Sequence, residues 1–451
     1  MRALQSLAAT LLLLASCDQA TDDTARDPCA SRCDGNLGET ILVQVPSDRL
    51  ASPVAIELNP CLNTGYLPDG APVVVVLSGS FKATITPVDR HELAVESRSG
   101  IVALYPSFPT DEGDFVSDHS GDYRGTGARW ASETALQYAT GDVEDSDGCT
   151  LADRIVSPLS DQPPWLHGKS NGGNLVMAVL ADEQLDLPEI AGVTTFETPT
   201  APQFVTVEVG SATQDLTPYE EGSCSWDPVE GLVCDMDYTQ LSWDPDAVDH
   251  EGHVGVAFFD LDGSGYFDSD DDSPIWGIRP VVAGQTWLLY SARLNQALRD
   301  AGFAPDGLLS IEETLDFWAT RDASRLVSQA VARHPELPFI VLGTENDHTL
   351  GIADHAHVSG LAHALQQSGA RWVRVNPDLA FVQRALEAPL VWQDNPANLP
   401  TSPGDPAMSM LPDASKIHAH SRDYVTAALS EMMERRWCGA WSDDLDHVLL
   451  P

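Results

Sequence analysis

Trp165-Leu166-His167-Gly168-Lys169-Ser170-Asn171-Gly172-Gly173 is the stretch that decides how this chain folds. A serine with glycines two residues to either side, G-x-S-x-G, occurs once in the 451 residues, where a short apolar run gives way to a helical pattern over Gly172 to Ala181. The spacing has a steric reason. A serine carried on a sharp strand-to-helix turn presses its neighbours against the adjoining elements, so the flanking positions have no room for a Cβ. The helix behind it presents N–H groups without intrahelical acceptors, and these suit a developing oxyanion.

Outward from this turn the pattern is that of an α/β protein. Val73 to Leu77 (VVVVL) is a continuous apolar run, the signature of a strand covered on both faces, and Ile101 to Tyr105 repeats it one crossover later. Ala128 to Ala139 reads as a helix, Trp165 to His167 as a strand and Gly172 to Ala181 as the helix after the serine. Near the end, Pro338 to Leu342 and Trp372 to Val375 read as strands, Val358 to Gln367 as a helix and Arg422 to Arg436 as a final amphipathic helix. Residues 200–310 lose this rhythm and become rich in Asp, Gly, Pro and Trp, which marks an insertion. The expected architecture is a mostly parallel central sheet flanked by helices, with residues 39–451 as the body.

The elbow-like turn, the strand order and the spacing of His and Asp together resemble the α/β-hydrolase superfamily, over residues 40–200 and 310–440. The resemblance implies a nucleophile, then an acid after a late strand, then a histidine after the last strand. Ser170 matches the nucleophile. Thr344-Glu345-Asn346-Asp347-His348 follows the strand ending at Leu342 and places Asp347 in the acid position, with Glu345 in reserve. Lys416-Ile417-His418-Ala419-His420 precedes the last helix, so either His420 or His418 is the base. Serine needs an imidazole to accept its proton, and the imidazole needs a carboxylate to fix its tautomer. The oxyanion would be met by the N–H of Asn171 and by that of Ser80 or Phe81, in a Gly79-Ser80-Phe81 loop that departs from the His-Gly-Gly-Gly form of lipases. The implied activity is hydrolysis of a small-molecule or polymeric carboxylic ester through an acyl-enzyme, with no catalytic cofactor. The alternatives are a peptidase or amidase on the same fold, or a non-catalytic, calcium-stabilised surface binding lipoprotein. In this superfamily an insertion between nucleophile and acid often forms a lid, which makes 200–310 lid-like.

Other features of the chain bear on its setting. Met1-Arg2 and the apolar run Leu7 to Ala15 form an export signal too short to span a bilayer, and Leu14-Ala15-Ser16-Cys17 resembles the lipobox of bacterial lipoproteins. Residues 1–16 would then be removed, Cys17 would carry lipid, and 17–38 would tether the body to a membrane facing the periplasm or cell surface. Export makes disulfides attainable, and Cys224 with Cys234, flanking a turn-rich stretch, is the expected pair. Asp260-Leu261-Asp262-Gly263-Ser264-Gly265-Tyr266-Phe267-Asp268-Ser269-Asp270-Asp271 resembles an EF-hand loop, with Asp260, Asp262, Ser264, Tyr266, Asp268 and Asp271 as the oxygen ligands of a structural Ca²⁺. Asp271 stands where a bidentate Glu is usual, and the flanks are strand-like. The tally of 24 Lys+Arg against 68 Asp+Glu, net −44, excludes nucleic acid as a partner. Only Lys82, Lys169 and Lys416 are lysines, a preference for Arg that either salt adaptation or a GC-rich codon bias would produce.

Overall fold

The computed structural model of the protein describes residues 29, 40–62, 70–79, 100–108, 122–209, 219–220, 222–249, 252–268, 272–275, 277–282, 285–303, 305–344, 354–378, 421–439 and 441. Its centre is an eight-stranded sheet: β1 (Ile41–Val45), β2 (Val54–Leu58), β3 (Val73–Leu77), β4 (Val102–Pro106), β5 (Trp165–Lys169), β6 (Val193–Phe196), β7 (Pro338–Leu342) and β8 (Trp372–Val375). The strands lie in the order β1-β2-β4-β3-β5-β6-β7-β8. From β4 to β8 all pairings are parallel, while β2 runs antiparallel to both β1 and β4.

The VVVVL run explains why β3 is central. Its β-branched side chains alternate between two cores, with Val73, Val75 and Leu77 in one and Val74 and Val76 in the other. The first core is closed by helices α1 (Thr126–Thr140), α2 (Asn171–Ala181), α4 (Ala323–Arg333) and α5 (Ala356–Gln367); α3 (Ile311–Ala319) precedes α4 in the chain. The second is closed by α6 (Ser421–Cys438), through Ala427, Ala428, Leu429 and Met432.

The final helix departs from a simple amphipathic pattern. Glu431 and Arg435 are fully buried. Glu431 bonds the Arg435 Nε at 2.8 Å and lies 3.3 Å from Arg374 Nη1, while its other oxygen accepts the Asp378 backbone N–H at 2.6 Å. The Arg435 guanidinium also lies 5.1 Å over the Trp372 ring. Charged positions that would face water in an isolated helix thus bond the end of β8, since buried charges persist only when paired.

The described residues within 203–309 build a further layer with small sheets of its own. A π-helical turn (Gln203–Val209) leads to a short hairpin (Ser225–Asp227, Gly231–Val233) and to a three-stranded antiparallel sheet (Leu241–Val248, Val254–Phe259, Ser273–Pro274). This layer has its own apolar cluster, in which Trp243 and Trp287 are packing residues. Trp226 packs against the main core and donates its indole N–H to the Ser324 carbonyl at 2.8 Å. The three tryptophans therefore serve as core; Trp276 lies outside the described residues. Glu208 is buried in the layer and accepts the hydroxyls of Ser291 and Tyr238. Burial pushes its carboxyl up, against the opposing effect of those two bonds.

Cys224 and Cys234 form the expected disulfide across the hairpin. A second, Cys29–Cys149, joins residues 120 apart in sequence, a pairing that the sequence reading did not anticipate. Among the described residues, no helix is long and apolar enough to cross a membrane.

Candidate active site

Ser170 stands between β5 and α2 with φ 51° and ψ −128°, a conformation that a residue with a side chain rarely adopts. Its N–H donates to the Phe196 carbonyl of β6 at 2.8 Å and its carbonyl accepts the Gly173 N–H at 2.9 Å, so the turn is locked from both sides. The glycines are there because nothing larger fits. A Cβ on Gly168 would come within 2.6 Å of the Gly173 Cα, one on Gly172 would overlap the Leu77 carbonyl oxygen, and one on Gly173 would overlap the Thr198 hydroxyl. Gly79, at the end of β3, closes the fourth side: its Cβ would lie 2.9 Å from the Ser170 Cβ. Asn171 opens α2, so its N–H is one of those without an intrahelical acceptor. Its side-chain oxygen accepts Asn174 Nδ2 at 3.2 Å, and Asn174 also bonds the Pro199 carbonyl and the Ala323 N–H.

The same edge of the sheet gathers other strand ends. After β6, Glu197 takes φ 44°, donates its N–H to the Leu342 carbonyl at 2.9 Å and accepts the Thr344 hydroxyl. After β8, Asn376 takes φ 62° and accepts the Gly343 N–H at 3.0 Å. Glu197 is a buried carboxylate beside the strand that leads into Ser170, and the sequence reading did not single it out. Only the strand pairing, which puts Phe196 next to Lys169, identifies it.

His167 lies within β5, fully buried, with Nδ1 2.7 Å from the Thr194 hydroxyl. Burial, with the nearby Lys169 charge, pushes its pKa down to about 3, so the ring is neutral and serves the core. The other residues assigned by resemblance, Ser80, Phe81, Glu345, Asp347, His418 and His420, lie outside the described residues, as does Cys17.

The acidic loop is largely described. Asp260 accepts the N–H groups of Ser264 and Gly265 at 3.0 Å each, Asp262 accepts that of Ser264 at 2.8 Å, and the Ser264 hydroxyl donates to the Tyr266 carbonyl at 2.9 Å. The carboxylate that joins Asp260 and Asp262 is Asp272: one oxygen from each of the three lies within 4.8 Å of the others. Asp268 is described and donates its N–H to Asp272, while Asp271 lies outside the described residues. Strand register is the reason for Asp272. Phe259 pairs with Ser273 in the antiparallel ladder, so the next residues outward, Asp260 and Asp272, face each other. Burial pushes the Asp272 carboxyl up, the N–H groups of Asp268 and Leu261 oppose that shift, and the charges of Asp260 and Asp262 add to it. Three hard oxygen donors this close suit a Ca²⁺ ion, which would offset their mutual repulsion.

Strand order, the antiparallel β2, helices on both faces and a serine elbow after β5 define the α/β-hydrolase fold. No family model matches the sequence, and no curated protein matches it. Among solved structures the chain is similar to the esterase domain of a Rhodothermus marinus protein, at 16% identity over 75% of this chain and 86% of that one, with a TM-score of 0.31. It is also similar to a lipase/esterase from Lactobacillus plantarum (11% identity, 75% and 88% covered, TM-score 0.36) and to brefeldin A esterase, a bacterial homologue of human hormone sensitive lipase (14%, 75% and 68%, 0.35). Likeness at this level adds nothing to the strand order and the elbow, which define the fold by themselves.

Proposed function

We propose that the protein is a serine hydrolase that cleaves carboxylic esters, with Ser170 as the nucleophile of an acyl-enzyme mechanism. The observation that carries this reading is the strained serine itself. Backbone conformations of this kind persist where function requires them, and here four glycine positions give up every Cβ to keep one hydroxyl on a turn at the sheet edge. Attack by the Ser170 Oγ on the ester carbon forms a tetrahedral oxyanion opposite the N–H of Asn171. The proton passes to the base, His420 or His418, which Asp347 orients, and then to the departing alcohol. Water repeats the sequence to release the acid.

A fluorophosphonate is expected to label the native chain once, at Ser170, as located by peptide mass spectrometry. Labelling that survives Ser170→Ala would refute the assignment. Rates on p-nitrophenyl esters against aminoacyl p-nitroanilides decide between ester and amide bonds, since the fold does not.

Two further elements belong to the same reading. Export with lipid on Cys17 is supported by the charged and apolar start of the chain and by the disulfides, which need an oxidising compartment. A structural Ca²⁺ held by Asp260, Asp262 and Asp272 is supported by the closeness of their oxygens. Calcium at a hundredfold excess over its Kd is expected to stabilise the fold by about 2.7 kcal/mol. The thermal midpoint should fall when EGTA replaces CaCl₂, and Asp272→Asn should remove most of that difference; equal midpoints would count against the ion.

A further inference from the structure

We propose that Arg124 is a positioning residue for the oxyanion side of the Ser170 site, acting through the backbone of Ser78 and Gly79. The inference rests on the reading of Ser170 as nucleophile and goes beyond it, since nothing in the sequence marks Arg124.

The turn before α1 is unusual. Tyr123 and Arg124 are consecutive left-handed residues, with φ 50° and 65°, a conformation disfavoured for any residue with a Cβ. Considerable machinery holds them there. Arg321 donates Nε to the Tyr123 carbonyl at 2.9 Å and Nη2 to the Asp122 carbonyl at 2.8 Å, and its guanidinium lies 4.0 Å over the Phe317 ring. The Asp122 carboxylate accepts the N–H groups of Gly125, Gly127 and Ala128 at 3.0, 2.6 and 3.2 Å, and the Tyr123 hydroxyl donates to the Arg279 carbonyl at 2.8 Å.

What this turn delivers is the Arg124 side chain, only 3% exposed, to the end of β3. Its guanidinium lies 4.1 Å over the Phe108 ring, and Nη2 donates to the carbonyls of Ser78 at 2.7 Å and Gly79 at 2.6 Å. A trans peptide directs its N–H opposite to its C=O. Fixing the Ser78 carbonyl on Arg124 therefore turns the Gly79 N–H away from the guanidinium. Gly79 also abuts the nucleophile, because a Cβ built there would be 3.5 Å from the Ser170 Oγ. A cation bonded to the carbonyl end of an amide polarises it and strengthens its N–H as a donor. The strained turn, the buried cation and the bare glycine thus form one assembly that orients an amide beside the reacting serine.

The test uses full-length protein and p-nitrophenyl butyrate. Arg124→Gln is expected to lower kcat roughly 100-fold while KM stays within about threefold, since misplacing an oxyanion donor acts on the transition state and not on substrate binding. Arg124→Lys keeps the charge without the planar fork and should recover part of kcat. The rate of fluorophosphonate labelling at Ser170 should fall in step, because attack on phosphorus also builds charge on oxygen. A kcat within about threefold of the wild type, a loss confined to KM, or failure of both variants to fold would overturn the assignment. A wild-type chain that neither takes the label nor turns over any ester would instead remove the reading of Ser170, a result obtained before either variant is made.

Discussion

Ser170→Gly is expected to remove at least about three orders of magnitude of ester turnover and to raise the melting temperature of the same protein. The two effects have one origin. At φ 51° and ψ −128° the serine backbone stores about 1–3 kcal/mol, which glycine, lacking a Cβ, does not. Glycine loses about 0.5–1 kcal/mol through greater freedom in the unfolded chain, so the net gain is about 1 kcal/mol, or roughly 1–3 °C. Ser170→Ala keeps the Cβ and the strain, and should lose activity with no gain in Tm. Calorimetry and steady-state kinetics on the three proteins give the comparison. A lower Tm for the glycine variant would mean that the elbow is not strained, and retained turnover would mean that Ser170 is not the nucleophile.

Gly172→Ala should be more damaging than any change of a side chain in the site. The new Cβ would overlap the Leu77 carbonyl oxygen, 2.7 Å from its carbon and 2.8 Å from the Ser78 oxygen. All three atoms are backbone, and β3 is paired on both edges, so relief requires α2 to move off the sheet. The cost is expected to exceed about 3 kcal/mol, giving insoluble protein or a Tm lower by roughly 5–10 °C. Gly173→Ala meets the Thr198 side chain instead. Its cost should be largely recovered in Gly173→Ala/Thr198→Gly, whereas Thr198→Gly should do nothing for Gly172→Ala. A double-mutant cycle measures the difference, and a Gly172→Ala protein melting within about 2 °C of wild type would contradict the packing.

The elbow was legible in the sequence because its cause is local. Glycines at fixed offsets from a serine report backbone crowding directly, and the apolar run Val73 to Leu77 reports burial on two faces. Strand β5 was read only to His167, since Gly168 and Lys169 lack strand character; ladders to β3 and β6 carry it two residues further. Features that depend on partners distant in sequence were not legible. Asp272 joins Asp260 through strand register, and the burial of Glu431 and Arg435 depends on Arg374 and Asp378. Arg124 belongs to the same group, because its role is set by two carbonyls 45 and 46 residues away. The carboxylate and imidazole assigned to Ser170 rest on the resemblance alone, outside the described residues.

The Cys29–Cys149 crosslink has a mechanical consequence if Cys17 carries lipid, as proposed. It ties residue 29 to the folded body, so a lipid on Cys17 would leave 18–28 as the length of chain between anchor and body, and not the whole stretch to 38. A fully stretched segment of that length reaches roughly 40 Å, and a flexible one averages about 20 Å. The protein would then be held within that distance of the membrane and would patrol a thin shell above it. Reducing the crosslink would lengthen the leash.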